Sequence, residues 1–131
     1  MPLPTALLQI SAPGSANLTI RQGDTWQQVF TISVSGVVQD ITGFTAALKI
    51  RDYYGSNTVL ATATCTIPVG SDGKIYAALT PATTAALVPT DTPQNSQRVA
   101  FLGYYDLDIT DGTDRVTLVA GSVSLSREVT K

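Results

Sequence analysis

Four aspartates lie close together in the stretch YYDLDITDGTD, and carboxylates at this density could hold a metal ion. They are Asp106, Asp108, Asp111 and Asp114. A calcium loop of the helix–loop–helix type has three aspartates at alternate positions, a glycine directly after the third, and a closing Glu. Here the third aspartate comes one place late, and no Glu follows before Glu128. A calcium site is therefore a candidate on a motif that departs from the known pattern.

A β-hairpin explains the same aspartates without a metal. Asp106 and Asp108 alternate with Leu107 and Ile109, as the outward positions of a half-buried strand do. The dipeptide Asp111-Gly112 is favoured in two-residue hairpin turns. We favour the hairpin interpretation, with the calcium site as the alternative.

Catalytic chemistry finds little support in the residue types. The chain contains no histidine, so a Ser-His-Asp or Cys-His arrangement is impossible. Cys65 lies on the apolar face of a predicted strand, where a free cysteine packs as a small hydrophobic residue. Nearly all acidic residues adjoin turns, as Asp24 follows Gly23, and no phosphate-binding glycine loop is present. We therefore expect no enzyme, no cofactor and no small-molecule substrate.

Tyrosines supply a second candidate site. Exposed tyrosine rings can stack on a sugar, which makes Tyr53, Tyr54 and Tyr104 candidate glycan-binding residues. In the alternative interpretation, Tyr105 is a core residue, and Tyr104 is a cross-strand partner of a residue on the adjacent strand.

Composition limits the class of protein and the partners it could have. A chain of 131 residues is long enough for one domain with a real core. Only 14% of residues are charged, against roughly 25% in typical soluble domains. The net charge is −2 and the basic residues are scattered, so no nucleic-acid surface is indicated. A single cysteine, no signal-peptide pattern and no apolar run of about 20 residues predict cytoplasmic synthesis without membrane contact.

Hydrophobic residues recur at every second position along most of the chain, which is typical of strands buried on one side. One such strand has Phe44, Ala46, Leu48 and Ile50 on its apolar face. About seven to eight short strands separated by turn residues predict an antiparallel all-β sandwich or a small barrel. Thr80 followed by Pro81 predicts the start of one short helical turn.

Two segments without strand periodicity are candidate contact regions. We predict an extended N-terminal arm over residues 1–16, followed by a β-sandwich over residues 17–131. The arm has Leu7, Leu8 and Ile10, which are apolar without an evident place in the core. A polar loop covers residues 89–98. Its candidate contact residues are Pro89, Asp91, Gln94, Asn95 and Gln97.

Four segments follow one another in an order that resembles small structural proteins of tailed bacteriophages and prophages, including the N-terminal domain of baseplate upper proteins. They are RQGDTWQQVFTIS, DITGFTAALKIR, DGKIYAALTPATTAAL and YYDLDITDGTDRVTLVAGSVSLSREVT. The matching motifs are Gln22-Gly23-Asp24-Thr25, Asp40-Ile41-Thr42-Gly43, Tyr105-Asp106-Leu107 and the stretch from Gly121 to Thr130. Ile41 in place of the usual Leu, the long 89–98 loop and the arm depart from the pattern.

This resemblance implies an immunoglobulin-like β-sandwich that serves as a virion building block without catalysis. The implied partners are other virion proteins and copies of the chain itself, and the implied location is the virion. A tail or baseplate component, such as an adaptor that anchors fibres, is the first expectation. A capsid decoration protein that binds across capsomer junctions is the second, and a carbohydrate-binding module is an alternative of another class.

Overall fold

A computed structural model describes residues 14–87 and 99–127, and every structural statement below refers to these ranges. Within them the chain forms ten strands, one short α-helix and one 3-10 turn. The strands are β1 (Gly14–Ser15), β2 (Leu18–Arg21), β3 (Trp26–Thr31), β4 (Ser33–Val34), β5 (Val37–Val38), β6 (Thr45–Arg51), β7 (Val59–Thr66), β8 (Lys74–Leu79), β9 (Val99–Thr110) and β10 (Arg115–Ser126). The helix α1 spans Pro81–Ala85, and the 3-10 turn spans Gly70–Asp72.

The strands form where the sequence alternates, because alternation lets one face of a strand leave water while the other stays solvated. In β6, Leu48 and Ile50 are fully buried, whereas Thr45 and Lys49 are exposed. The helix begins as predicted: Thr80 accepts a hydrogen bond from the Thr83 N–H at 3.3 Å, and Pro81 takes the first helical position.

Eight of the strands belong to one sheet that folds over itself. Its order is β1-β10-β9-β6-β7-β8-β3, with β2 also paired to β10. The turn of the sheet occurs within β7, because Val59–Ala63 pairs with β6 while Thr64–Thr66 pairs with β8. Strands β4 and β5 form a separate small hairpin. The result is two layers that share β7 and enclose the core between them.

The core lies between these layers and is closed by large apolar side chains from both. The rings of Phe30 in β3 and Tyr105 in β9 approach to 6.5 Å between centroids. The largest fully buried side chains come from five strands and one loop; they are Tyr105, Ile20, Ile41, Leu48, Ile50, Ile75, Leu102, Leu107, Ile109, Leu125 and Val123. The chain is therefore an all-β, immunoglobulin-like sandwich with one short helical turn, which confirms the predicted fold class.

One feature of the topology differs from the antiparallel expectation. Strands β1 and β2 pair with β10 in parallel, with Gly14 opposite Val119 and Leu18 opposite Val123. Strands joined by a short hairpin must be antiparallel, but β2 and β10 are separated by nearly the whole domain and have no such constraint. The last residues of the predicted arm, Gly14 to Ala16, accordingly lie along β10.

The motif at residues 22–25 is held against α1 by hydrogen bonds that are long-range in sequence. The Gly23 N–H donates to the Thr84 hydroxyl at 3.0 Å, and that hydroxyl donates to the Asp24 carbonyl at 2.7 Å. The Gln22 amide also donates to the Leu87 carbonyl at 3.1 Å. Thr84 is fully buried, and its hydroxyl links α1 to two backbone groups of the partly exposed segment at residues 22–25.

The other motifs are also part of the framework. The Asp40 carboxylate accepts hydrogen bonds from the backbone N–H and the hydroxyl of Thr42, at 3.0 and 2.6 Å, and these bonds lower the pKa of Asp40. The Tyr105 hydroxyl donates to the Ala16 carbonyl at 2.6 Å. Gly121 lies so close to the same carbonyl that a β-carbon would clash with it. The contacts of Tyr105 and Gly121 with Ala16 fix the N-terminal strands to the domain.

Candidate binding face

The outer face of β6, β9 and β10 carries a group of charged and aromatic side chains. The strand register places Lys49 opposite Asp106, Arg51 opposite Tyr104, and Thr117 opposite Asp108. Two adjoining depressions of about 320 and 310 Å³ lie on this face and have Lys49, Arg51 and Asp106 in common. We call the two depressions together the outer groove, with a carboxylate end and a tyrosine end.

At the carboxylate end, Asp108 is held by two partners on β10. The Arg115 guanidinium forms a two-nitrogen ion pair with the Asp108 carboxylate, and its Nε lies at 3.0 Å. The Thr117 hydroxyl donates to the other carboxylate oxygen at 2.9 Å. The hydrogen bonds that Arg115 donates to Asp108, together with the negative charge of this carboxylate, raise the pKa of Arg115.

Asp108 is buried, although the sequence predicts an outward position for it on a half-buried strand. Its position faces outward from the sheet, as alternation predicts, yet only 5% of the residue is exposed. The long Arg115 side chain, which is itself 70% exposed, extends across the carboxylate and shields it from water. Alternation specifies the side of the sheet, but it does not specify what covers that side.

Asp106 lies between the two ends of the groove. Burial raises the pKa of its carboxyl, and the negative charge of Asp108 raises it further. The positive charges of Arg115, Arg51 and Lys49 act in the opposite direction. The carboxyl of Asp106 is thus partly shielded from water and flanked by cations on both neighbouring strands.

The hairpin between β9 and β10 is present, but its loop is longer than predicted. The last paired residues are Thr110 and Arg115, which leaves a four-residue loop instead of the predicted two-residue Asp111-Gly112 turn. The Asp111 carboxylate accepts from the N–H groups of Thr113 and Asp114 at 2.8 and 2.7 Å. The Thr110 hydroxyl donates to the Asp114 carbonyl at 2.7 Å. Side-chain bonds of this kind stabilise a longer turn that the dipeptide alone does not reveal.

These contacts favour the hairpin interpretation of the four aspartates. The carboxylates of Asp108 and Asp111 are engaged by Arg115, Thr117 and loop N–H groups. Within residues 14–87 and 99–127, no three acidic or cysteine side chains come close enough together to hold a metal ion.

The tyrosine end brings two of the three candidate tyrosines into direct contact. The rings of Tyr54 and Tyr104 stack with centroids 4.5 Å apart and an interplanar angle of 28°. Phe101 meets Tyr104 edge-on at 5.2 Å. Tyr53 and Tyr54 are 59% and 58% exposed, and Tyr53 lines the same depression. The predicted core position of Tyr105 is confirmed by its 1% exposure.

Two local features produce this aromatic cluster. A bulge in β9 shifts the pairing with β10, so that Gly103 faces Val123 while Phe101 faces Ser124. The extra residue places Phe101 and Tyr104 on the same face, although their spacing would otherwise separate them. The loop after β6 is held near the cluster because Arg51 donates to the Ser56 carbonyl at 2.7 Å.

Sequence reasoning did not single out several residues of this face, among them Lys49 and Arg51 in the groove and Phe101, which contacts Tyr104. The two cations were detectable, since both occupy polar positions of an alternating strand two residues apart. Phe101 was not detectable, because its side depends on the bulge.

The predicted contact residues of the arm and the long loop lie outside the described residues. They are Leu7, Leu8, Ile10, Pro89, Asp91, Gln94, Asn95 and Gln97. Cys65 is described; it is partly buried, and burial raises the pKa of its thiol. Among the described residues, no helix is long and apolar enough to cross a membrane.

Comparison with known proteins gives a match in structure and none in sequence. No protein-family model matches the chain, and no curated protein is significantly similar in sequence. Among solved structures, the IG1–IG1 heterodimer of ZIG-8 and RIG-5 is similar to this chain, with a TM-score of 0.39 and 10% identity over 94% of both chains.

Proposed function

We propose that the chain is a non-enzymatic structural protein of a tailed-bacteriophage virion. In this proposal it is a tail or baseplate component, or an adaptor that anchors fibres, and it acts through protein–protein contacts. The observation that carries the proposal is the ordered set of sequence motifs together with their roles in the fold. Motif residues Gly23, Asp24 and Tyr105 are each engaged in contacts that close the sandwich.

These roles give the resemblance a physical basis. A family that shares one sandwich has to keep the residues that attach its N-terminal strands and its short helix. Gly23 and Asp24 attach to α1, and Tyr105 and Gly121 lie against the Ala16 carbonyl. The motifs are therefore what homologous domains would retain while their surfaces diverge.

The surface of the chain supports a role in assembly. Tyrosine and arginine are enriched at the energetic centres of protein interfaces, and the outer groove exposes Tyr53, Tyr54 and Arg115. Strand β3 lies at the end of the sheet order, and its residues Gln27, Gln28 and Val29 carry no charge. Natural sheets usually protect such an edge with charges or proline, so an unprotected edge suits pairing with another chain.

Immunogold electron microscopy of phage particles tests the proposal. Antibodies raised against the purified chain should label particles produced by the host that carries this gene. Label at the tail tip supports the tail or baseplate role, and label over the head supports the capsid decoration role instead. Intact particles without label, in a preparation where an antibody to a known virion protein does label, would rule out both.

Self-association is tested separately by measuring the mass of the chain in solution. We expect the full chain to form a defined oligomer and a chain lacking residues 1–13 to be a monomer, if the arm binds neighbouring copies. Light scattering after size-exclusion chromatography gives both masses. A monomeric full chain would show that the arm does not drive self-assembly.

A further inference from the structure

We propose that the tyrosine end of the outer groove binds an acidic saccharide. A sugar ring packs on Tyr54, and its carboxylate binds Lys49 and Arg51. This inference goes beyond the virion role, because it assigns a ligand class to a site on one face of the domain. It also goes beyond the candidate tyrosines, since the cations define the ligand.

The stacked tyrosines form a rigid platform for a sugar ring. The ring of Tyr104 is held between Tyr54 at 4.5 Å and the edge contact with Phe101 at 5.2 Å. Tyr54 turns one ring face toward Tyr104, yet the residue is still 58% exposed, which leaves the opposite ring face for a ligand. The apolar C–H face of a pyranose packs on such a ring, and a ring already fixed by neighbours loses little entropy on binding.

Two cations face the same depression and select for negative charge. Lys49 and Arg51 occupy neighbouring outward positions of β6, which lie about 7 Å apart along a strand. Arg51 uses one nitrogen to bond the Ser56 carbonyl, which holds its side chain at the depression, and its guanidinium has further N–H donors that a ligand could use. Lys49 forms no ion pair with another described residue. The chain has a net charge of −2, but this end has two cations for one carboxylate, Asp106.

Asp106 and Asn57 complete the set of polar groups. Both line the depression beside the tyrosines. A partly buried carboxylate accepts hydrogen bonds from neighbouring sugar hydroxyls, and an amide can donate and accept. Aromatic ring, cation, carboxylate and amide together match the groups that a sugar acid presents: an apolar ring face, a carboxylate and hydroxyls.

The dimensions suit a short saccharide segment. The depression of about 310 Å³ is at the lower end of the roughly 300 to 1,000 Å³ typical of ligand sites. It opens into the carboxylate end, which shares Lys49 and Asp106 with it. A chain of sugars can therefore continue along the groove beyond the first ring.

The test compares acidic sugars with neutral partners of the same shape. The full chain, labelled with nitrogen-15, is titrated with sialyllactose and its methyl ester, and with tetragalacturonate and its methyl ester. Affinities come from the chemical shifts of backbone amides. We expect each acidic sugar to bind about tenfold more tightly than its neutral partner, with shifts centred on Tyr54, Tyr104 and Lys49.

Variants separate the contributions of ring and charge. Tyr54→Ala should abolish detectable binding of both members of a pair. Lys49→Gln should weaken the acidic sugar about five- to tenfold and leave the neutral one unchanged. Lys74→Gln is the matched control, because Lys74 is an exposed lysine on β8 in the other layer. Each variant is checked for folding by the fluorescence of Trp26, the single tryptophan.

Three results would overturn the inference: no shift with any of the four sugars, equal affinity for acidic and neutral partners, or unchanged affinity in both Tyr54→Ala and Lys49→Gln. A fourth result combines two observations: no sugar binds, and particles fail to incorporate the folded Tyr54→Ala chain. The groove would then be a protein interface. None of these results refutes the virion role, because that role is tested by the location of the chain in particles.

Discussion

Replacing Tyr105 with phenylalanine is the most direct test of how the N-terminal strands are fixed. The ring of Tyr105 lies in the core against Phe30, and its hydroxyl donates to the Ala16 carbonyl at 2.6 Å. Tyr105→Phe keeps the ring and its packing and removes only the hydroxyl. Any loss of stability therefore reports on this one contact between β9 and the chain between β1 and β2.

The expected loss at neutral pH is modest. One hydrogen bond between neutral groups contributes about 1 kcal/mol to the free energy of unfolding. Ala16 is exposed, so water can reach its carbonyl once the hydroxyl is gone, and the larger penalty for a buried unsatisfied group does not apply. For a chain of this size the melting temperature should fall by about 3 to 6 °C.

Alkaline pH provides a second, independent signature of the same hydroxyl. Burial raises the pKa of Tyr105 to about 12, and the charge of Tyr54 adds to the effect. The unfolded chain titrates near the ordinary value of 10.0, so it loses the proton first as the pH rises. The contribution of the neutral hydroxyl is therefore complete below pH 10 and is lost between about pH 10 and 12. Two pKa units correspond to at most about 2.7 kcal/mol, and the nearby solvent reduces this to about 1 to 2 kcal/mol.

The measurement is urea unfolding followed by Trp26 fluorescence, at neutral pH and at several values between about pH 9 and 12. The native chain should be more stable than Tyr105→Phe at neutral pH, and this advantage should disappear as the pH approaches 12. Tyr53→Phe serves as the control, since Tyr53 is 59% exposed. Equal stability of the two chains at neutral pH, with a difference that does not change on titration, would refute the role assigned to the hydroxyl.

Three further predictions concern the other framework contacts and the aspartates. Gly121→Ala should lower the free energy of unfolding by about 2 to 3 kcal/mol, because the new β-carbon meets the Ala16 backbone. Gly14→Ala has ordinary clearance and should change the free energy of unfolding little. Urea unfolding of both variants tests this, and equal losses would contradict it. Thr84→Val should cost about 1 to 2 kcal/mol, because it removes the hydrogen bonds of the buried hydroxyl to the Gly23 N–H and the Asp24 carbonyl, both of which lie in a segment that water partly reaches. Thr83→Val should cost less than about 1 kcal/mol, because the Thr83 hydroxyl bonds to the Thr80 hydroxyl at the exposed start of the helix. If both valine variants melt at the same temperature, the buried hydroxyl has no special role. Calcium at about 1 mM should leave the melting temperature unchanged against an EDTA control, and a rise would restore the calcium interpretation of the four aspartates.

Much of the fold could be predicted because it depends on short-range pattern. Alternation in β6 predicted that Leu48 and Ile50 are buried, and the Thr80-Pro81 pair predicted the start of α1. These signals are local: side-chain direction in a strand and N-capping of a helix depend on residues a few positions apart.

The features that escaped prediction depend on contacts distant in sequence or on irregular backbone. The burial of Asp108 depends on Arg115 crossing it from the next strand. The side on which Phe101 lies depends on a bulge in β9. The parallel pairing of β2 with β10 joins opposite ends of the chain. No periodicity within one segment carries this information.

The contacts that close the sandwich and the lining of the outer groove are formed by largely different residues. Gly23, Tyr105 and Gly121, which belong to the matching motifs, lie in contacts that close the sandwich. Tyr105 and Asp106 belong to a motif and also line the outer groove. Other groove residues, such as Lys49 and Tyr54, lie outside the matching motifs. The framework contacts can therefore stay the same while the other groove residues change, so the identity of the partner has to be determined from the groove. Tyr105 is the motif residue that takes part in both, because its hydroxyl bonds to Ala16 and its residue lines the groove.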